Sequence, residues 1–94
     1  MTKAVLLYER IYHEGPLHRK LHYYLLIDEV RFGSNVLDIY GARVVLYENG
    51  RLTGEKTLRG LTPFGPKINV FLQRLADSLS TPNTMERMLE QPKR

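Results

Sequence analysis

The chain has 94 residues, 43% of them apolar and 26% charged, with a formal net charge of +4 and no cysteine. That length suits one domain with its own core and is too short for two, and an apolar share this close to the globular average excludes a disordered chain. Without cysteine there is no disulfide scaffold, no thiolate zinc centre and no cysteine nucleophile, and the positive charge is a scattered excess rather than a run of Lys and Arg.

Residues 3–12 are rich in strand formers, with Val5, Leu7, Glu9 and Ile11 alternating with Leu6, Tyr8, Arg10 and Tyr12. β-branched and aromatic content favours a strand here over a helix. Gly15-Pro16 breaks the pattern and marks a loop. Residues 20–29 read as a second strand, in which Leu21, Tyr23, Leu25 and Ile27 share one face and His22, Tyr24, Leu26 and Asp28 the other. After a loop at Gly33-Ser34-Asn35, residues 36–47 form a third strand. Tyr40, Ala42, Val44 and Leu46 lie on one side of it; Leu37, Ile39, Arg43, Val45 and Tyr47 lie on the other. Gly41 marks a bulge or a close approach.

Asn49-Gly50 is the sharpest local signal, because both central residues of a type I′ turn need positive φ. It predicts a hairpin into a shorter, polar fourth strand near 52–59, whose charges suit a sheet edge. Gly60 to Pro66 links sheet to helix, and Pro66 suits a first helical turn. Ile68, Phe71, Leu72, Leu75 and Leu79 then recur at helical spacing, one apolar stripe for the sheet. Ser80-Thr81-Pro82 ends this helix and starts a short one, with Thr81 as cap, Pro82 in first position and Met85, Met88 and Leu89 as its apolar edge. The tail Gln91–Arg94 is expected to fray.

The order of these features, with Tyr23-Tyr24-Leu25-Leu26-Ile27, Tyr40-Gly41-Ala42-Arg43-Val44 and Thr81-Pro82 leading into Met85-Glu86-Arg87-Met88-Leu89-Glu90, resembles a family of short bacterial proteins classed as a domain of unknown function, mainly from Gram-positive spore formers. The resemblance covers roughly residues 5–90. It implies a sheet followed by helices and brings no catalytic residue. The chain departs from the family pattern after Pro82, where Asn83 and Thr84 stand in place of an acidic segment with a histidine, and Arg87 interrupts the acidic run.

Few constellations point to chemistry. His18 and His22 would share a face of a helix, but on a strand they lie about 13 Å apart at ~3.3 Å per residue, too far for two ligands on one zinc. The three histidines are expected as two loop residues and one sheet-face residue. A metal site is the third hypothesis only, testable by a zinc thermal shift and its loss on His18→Ala and His22→Ala. Glu14, Asp28, Glu29, Asp38 and Glu48 suggest no chosen carboxylate pair. Gly60-x4-Gly65 is followed by Pro66, not by the Lys-Ser/Thr of a phosphate loop, and no nucleophile elbow occurs. No catalytic residue, cofactor or metal ligand is therefore assigned.

Six tyrosines, at 8, 12, 23, 24, 40 and 47, carry more information. With nearby Arg or Lys, an aromatic sheet face can stack single-stranded bases; packing across strands, for which strands ordinarily use tyrosine, is the preferred reading. If the helix covers the Tyr40 side, the opposite side is too apolar for comfortable exposure.

The sequence thus predicts one α+β domain over 1–94. Its antiparallel sheet, three long strands and one short, occupies about 3–59, and its helical segment about 66–90. It is expected to be a non-enzymatic, cytoplasmic interaction module without a leader or membrane span, pairing with a protein partner or as a homodimer. Interface candidates are Tyr8, Tyr12, Ile39, Arg43, Val45 and Tyr47. The alternative is a nucleic-acid-binding domain using Arg10, Arg43, Arg51, Lys56, Arg59 and Lys67.

Overall fold

A computed structural model describes residues 2–90. It contains β1 (Thr2–Glu14), β2 (Leu17–Phe32), β3 (Asn35–Glu48), β4 (Arg51–Thr62), α1 (Gly65–Asp77) and α2 (Met85–Glu90). The strands form one antiparallel sheet in the order β1-β2-β3-β4, so every neighbour in space is a neighbour in sequence. The expected α+β architecture is present; the expected fraying of 91–94 lies outside the described residues.

Each hairpin turns on two residues. Asn49 and Gly50 both take positive φ, 51° and 82°, as a type I′ turn demands. Gly15-Pro16 and Gly33-Ser34 are equally tight, where the sequence suggested looser loops. Gly15 takes φ of 59°, and Pro16 supplies the fixed negative φ of the second position. The strands consequently run right up to their turns. β2 has 16 residues, and at ~3.3 Å per residue such a strand accounts for the 54 Å length of the molecule. β4 is the shortest strand at 12 residues, and it continues to Thr62 rather than ending near 59.

α1 lies across one face of the sheet. The core consists of Leu21 and Tyr23 from β2, Ala42 and Val44 from β3, Ile68, Leu72, Leu75 and Ala76 from α1, and Met85 from α2. Burying these apolar side chains is the main stabilising term, worth about 1.5–3 kcal/mol for each large one. The buried Tyr23 hydroxyl donates to the carbonyl of Ser80 at 2.8 Å. That bond ties the middle of the sheet to the link between the helices, and burial pushes the Tyr23 phenol pKa up.

Pro66 sits in the first turn of α1 as expected. The expected stripe loses its last member, Leu79. α1 stops at Asp77, and Leu79 takes φ of 53°. The Ser80 N–H donates to the Leu75 carbonyl at 2.9 Å and the Leu79 N–H to the Ala76 carbonyl at 3.3 Å. This is a Schellman stop with leucine in the left-handed position usually held by glycine. The turn before α2 closes through Thr81: its carbonyl accepts from the Thr84 and Met85 N–H groups, and its own N–H donates to Thr84 Oγ1 at 2.9 Å.

Gly41 marks a bulge, as the sequence suggested, but the extra residues belong to β4: between the pairs Tyr40–Thr62 and Ala42–Leu58, β3 has Gly41 alone and β4 has Arg59, Gly60 and Leu61. Gly41 has no room for a side chain, because a Cβ there would run into the backbone of Leu58 and Arg59.

Candidate functional site

With α1 and α2 on one side, the pleat and the strand register assign every side chain to a face. On the helix side β1 contributes Tyr8, Arg10 and Tyr12, opposite Tyr23, Leu21 and Arg19 of β2. The uncovered side carries Leu6, Glu9, Ile11 and His13 from β1 and His18, Lys20, His22, Tyr24, Leu26 and Asp28 from β2. β3 adds Leu37, Ile39, Arg43, Val45 and Tyr47; β4 adds Leu52, Glu55 and Thr57. Arg59 joins them by reaching across to Asp28.

The interface candidates are therefore split. Ile39, Arg43, Val45 and Tyr47 share the uncovered face as expected. Tyr8 and Tyr12 do not: they are half-buried against the core under α1. The tight Gly15-Pro16 turn fixes the β1–β2 register and puts Tyr8 beside Tyr23. A bulge between Leu6 and Tyr8 then returns Leu6 to the uncovered side. A base-stacking surface of Tyr8, Tyr12, Arg10, Arg43 and Tyr47 is accordingly not assembled.

The centre of the uncovered face is dense although no helix lies on it. Leu26 and Val45 are each only 3% exposed. On the same face the rings of His22, Tyr24 and Tyr47 cluster, with His22 at 6.1 Å from Tyr24 and 5.3 Å from Tyr47 between centroids. Around this centre Ile11, Leu52 and Leu6 are exposed, Ile11 by 64% and Leu52 by 57%. Beyond the ends of β1 and β4 the β2–β3 hairpin continues as a two-stranded ribbon whose Phe32, Val36 and Leu37 are also exposed. Two strands alone are marginal in water.

Charges on this face are matched in place. Glu9 Oε2 meets His22 Nε2 at 2.7 Å, and Arg43 pairs with Glu55. The Arg43 guanidinium lies 5.9 Å from the Tyr24 ring and the Lys20 ammonium 5.2 Å from that of Tyr47. Arg59 passes over the bare backbone of Gly41 to reach Asp28 Oδ1 at 2.7 Å, and both residues bond the Thr2 hydroxyl. The Arg59 guanidinium first, and the Thr2 hydroxyl second, hold the Asp28 carboxyl down at about 2.

The nucleic-acid candidates are not gathered into one patch. Arg43 and Arg59 are on the uncovered face; Arg10 and Lys56 are on the helix side, bound to Asp77 and Glu86. Arg51 sits opposite Glu48 at the β3–β4 turn, and Lys67 lies on α1 over the Phe64 ring. The histidines also differ from expectation. His13 and His18 belong to strands, not loops, and they are cross-strand partners.

No family model, curated protein or solved structure matches the chain. Among the described residues no helix is long and apolar enough to cross a membrane.

Proposed function

We propose that this chain is a non-enzymatic interaction module that pairs with a second copy of itself through the uncovered sheet face. The observation that carries this reading is one-sidedness. Both helices lie on one face, and the other exposes Leu6, Ile11 and Leu52 around a dense aromatic centre, with Leu37 further along on the β2–β3 ribbon. Large exposed apolar patches mark interaction surfaces.

A second copy is favoured as occupant by charge and by size. Glu9, Asp28 and Glu55 balance Lys20, Arg43 and Arg59 on this face, so two copies would meet without net repulsion. A molecule 54 × 34 × 17 Å across offers a broad face larger than the ~800 Å² each partner contributes to a standard interface.

Sedimentation velocity over a concentration series tests the reading. The wild type should move from monomer to dimer by tens of micromolar. Ile11→Glu and Leu52→Glu, both outside the core, should shift the chain to monomer, whereas Asn69→Glu on the exposed side of α1 should not. A wild-type monomer throughout overturns the proposal.

The nucleic-acid reading has less support. Four of its six cations face a carboxylate, and the six are spread over both sides of the sheet. Binding to single- or double-stranded DNA or RNA that weakens steeply with salt would revive it.

A further inference from the structure

The tip of the β1–β2 hairpin brings two imidazoles together, and we propose that His13 and His18 form a two-ligand site for a divalent transition metal of the Cu(II), Ni(II) or Zn(II) type. The site is separate from the centre of the uncovered face and does not depend on self-association.

His13 and His18 stand directly opposite each other across the hairpin, on the uncovered side. Their ring centroids are 4.0 Å apart and their planes are tilted by 46°. Two nitrogens bound to one zinc at ~2.0–2.1 Å lie about 3.4 Å apart in tetrahedral geometry. Each bound ring has its centroid about 1.1 Å behind the ligating nitrogen, which puts the two centroids about 5 Å apart in that geometry; the pair therefore swings open from 4.0 Å to take the ion, a change that rotation about the side-chain bonds can supply.

The backbone beneath them is held from two directions. Gly15-Pro16 closes the hairpin with one glycine in the left-handed region, φ 59°. On the other side the β3–β4 turn grips His18: its N–H donates to Asn49 Oδ1 at 3.0 Å, and its carbonyl accepts from the Asn49 N–H at 2.8 Å. Two turns at the same end of the sheet thus hold the backbone of His18 and set its pairing with His13.

The donor set decides the class of ion. Glu14, the adjacent carboxylate, is paired with Arg19 at 2.8 Å on the opposite face. Imidazole nitrogen alone suits copper, nickel and zinc and does not suit magnesium or calcium, which take oxygen. Among the described residues no group of three or more metal-binding side chains occurs. The protein therefore supplies two ligands and water completes the shell, giving an order of affinity with copper first and nickel next. His22 is a natural control: it lies about 13 Å along β2 from His18 at ~3.3 Å per residue, and its Nε2 is engaged by Glu9.

Isothermal titration of the full chain with nickel chloride and with zinc chloride, alongside the NMR signals of the three imidazoles, tests the proposal. Expected is saturable binding of one ion per chain that perturbs His13 and His18 together. His13→Asn and His18→Asn should each weaken it roughly tenfold or more, since losing a ligand costs at least as much as losing an outer-shell partner; His22→Asn should leave it unchanged. Unchanged amide spectra elsewhere would show that the variants fold. Absence of saturable binding, binding that survives both His13→Asn and His18→Asn, or binding lost with His22→Asn would each overturn it.

Discussion

Substituting Gly41 by alanine should destabilise the fold far more than the loss of one hydrogen atom suggests. A Cβ at this position falls 3.0 Å from the Arg59 Cα and 3.3 Å from the Leu58 carbonyl carbon, and nearer still to the Leu58 carbonyl oxygen. Carbon atoms in ordinary contact stand about 3.5–4.0 Å apart, so the β3 and β4 backbones would have to separate by about half an ångström or more. Both partners are main chain, and no side chain can rotate away. Overpacking costs about 1–3 kcal/mol, and the top of that range applies here; the lower chain entropy of alanine returns about 0.5–1 kcal/mol. The expected net loss is about 2 kcal/mol, or roughly 10 °C in Tm for a domain of this size.

Gly54 in the neighbouring strand β4 is the control. A Cβ there meets the Pro82 Cγ at 3.4 Å, the Leu46 Cβ at 3.8 Å and the Pro82 Cβ at 3.9 Å, ordinary contacts, and Gly54→Ala should be neutral or slightly stabilising. Urea unfolding of both variants at one protein concentration measures the difference, since the proposed dimerisation would make stability depend on concentration. Gly41→Ala within about 0.5 kcal/mol of wild type, on the scale of an ordinary surface substitution, would refute the reasoning. So would equal losses in the two variants.

Further expectations concern the helix stop, the core and the acid limb. Leu79→Gly should stabilise the chain by about 1 kcal/mol in the same urea assay, because a left-handed leucine is strained by ~1–2 kcal/mol; a loss of stability would contradict the strain. Tyr23→Phe leaves the buried Ser80 carbonyl without its 2.8 Å donor and should cost about 1–2 kcal/mol, with an unchanged Cm counting against it. The Asp28 carboxyl, followed by carbon NMR, should titrate at about 2 and return towards its ordinary ~3.9 in Arg59→Ala. Its folded pKa lies below its unfolded one, so its contribution to stability is present above pH ~4 and disappears as pH falls towards 2. A wild-type midpoint near 4 would rule out the Arg59–Asp28–Thr2 network.

Much of the fold is legible because neighbours in sequence are neighbours in the sheet. Asn49-Gly50 alone sets the β3–β4 connection, and the period-2 pattern of residues 20–29 and 36–47 separates the two faces of β2 and β3 correctly. The difficulty lies at β1. Reading Gly15-Pro16 as a loose loop leaves the β1 register open; as a two-residue turn it pairs His13 with His18 and puts Tyr8 beside Tyr23. The signal for the histidine pair was thus present, in their equal distance from the turn. The β1 bulge beside Leu7 has no such marker, since neither glycine nor proline stands there. Nor could Arg59 and Asp28 be paired from sequence. Their contact spans β3 over Gly41 and needs the β4 backbone to come close to it, a tertiary fact. Leu79 misled for a local reason: it keeps the helical spacing while the backbone has already turned left-handed.

The face used for self-association is the central claim, and the absence of cysteine makes it directly measurable. A spin label on a single cysteine introduced at Thr57, on the uncovered face, can be mixed with unlabelled, isotope-enriched chain. Intermolecular relaxation should then broaden amides of β2 and β3, such as those of Tyr24, Val45 and Tyr47, while a label at Gln73 on the outer side of α1 leaves them sharp. Broadening from the Gln73 label and none from Thr57 would show that the copies meet through the helices and contradict the account.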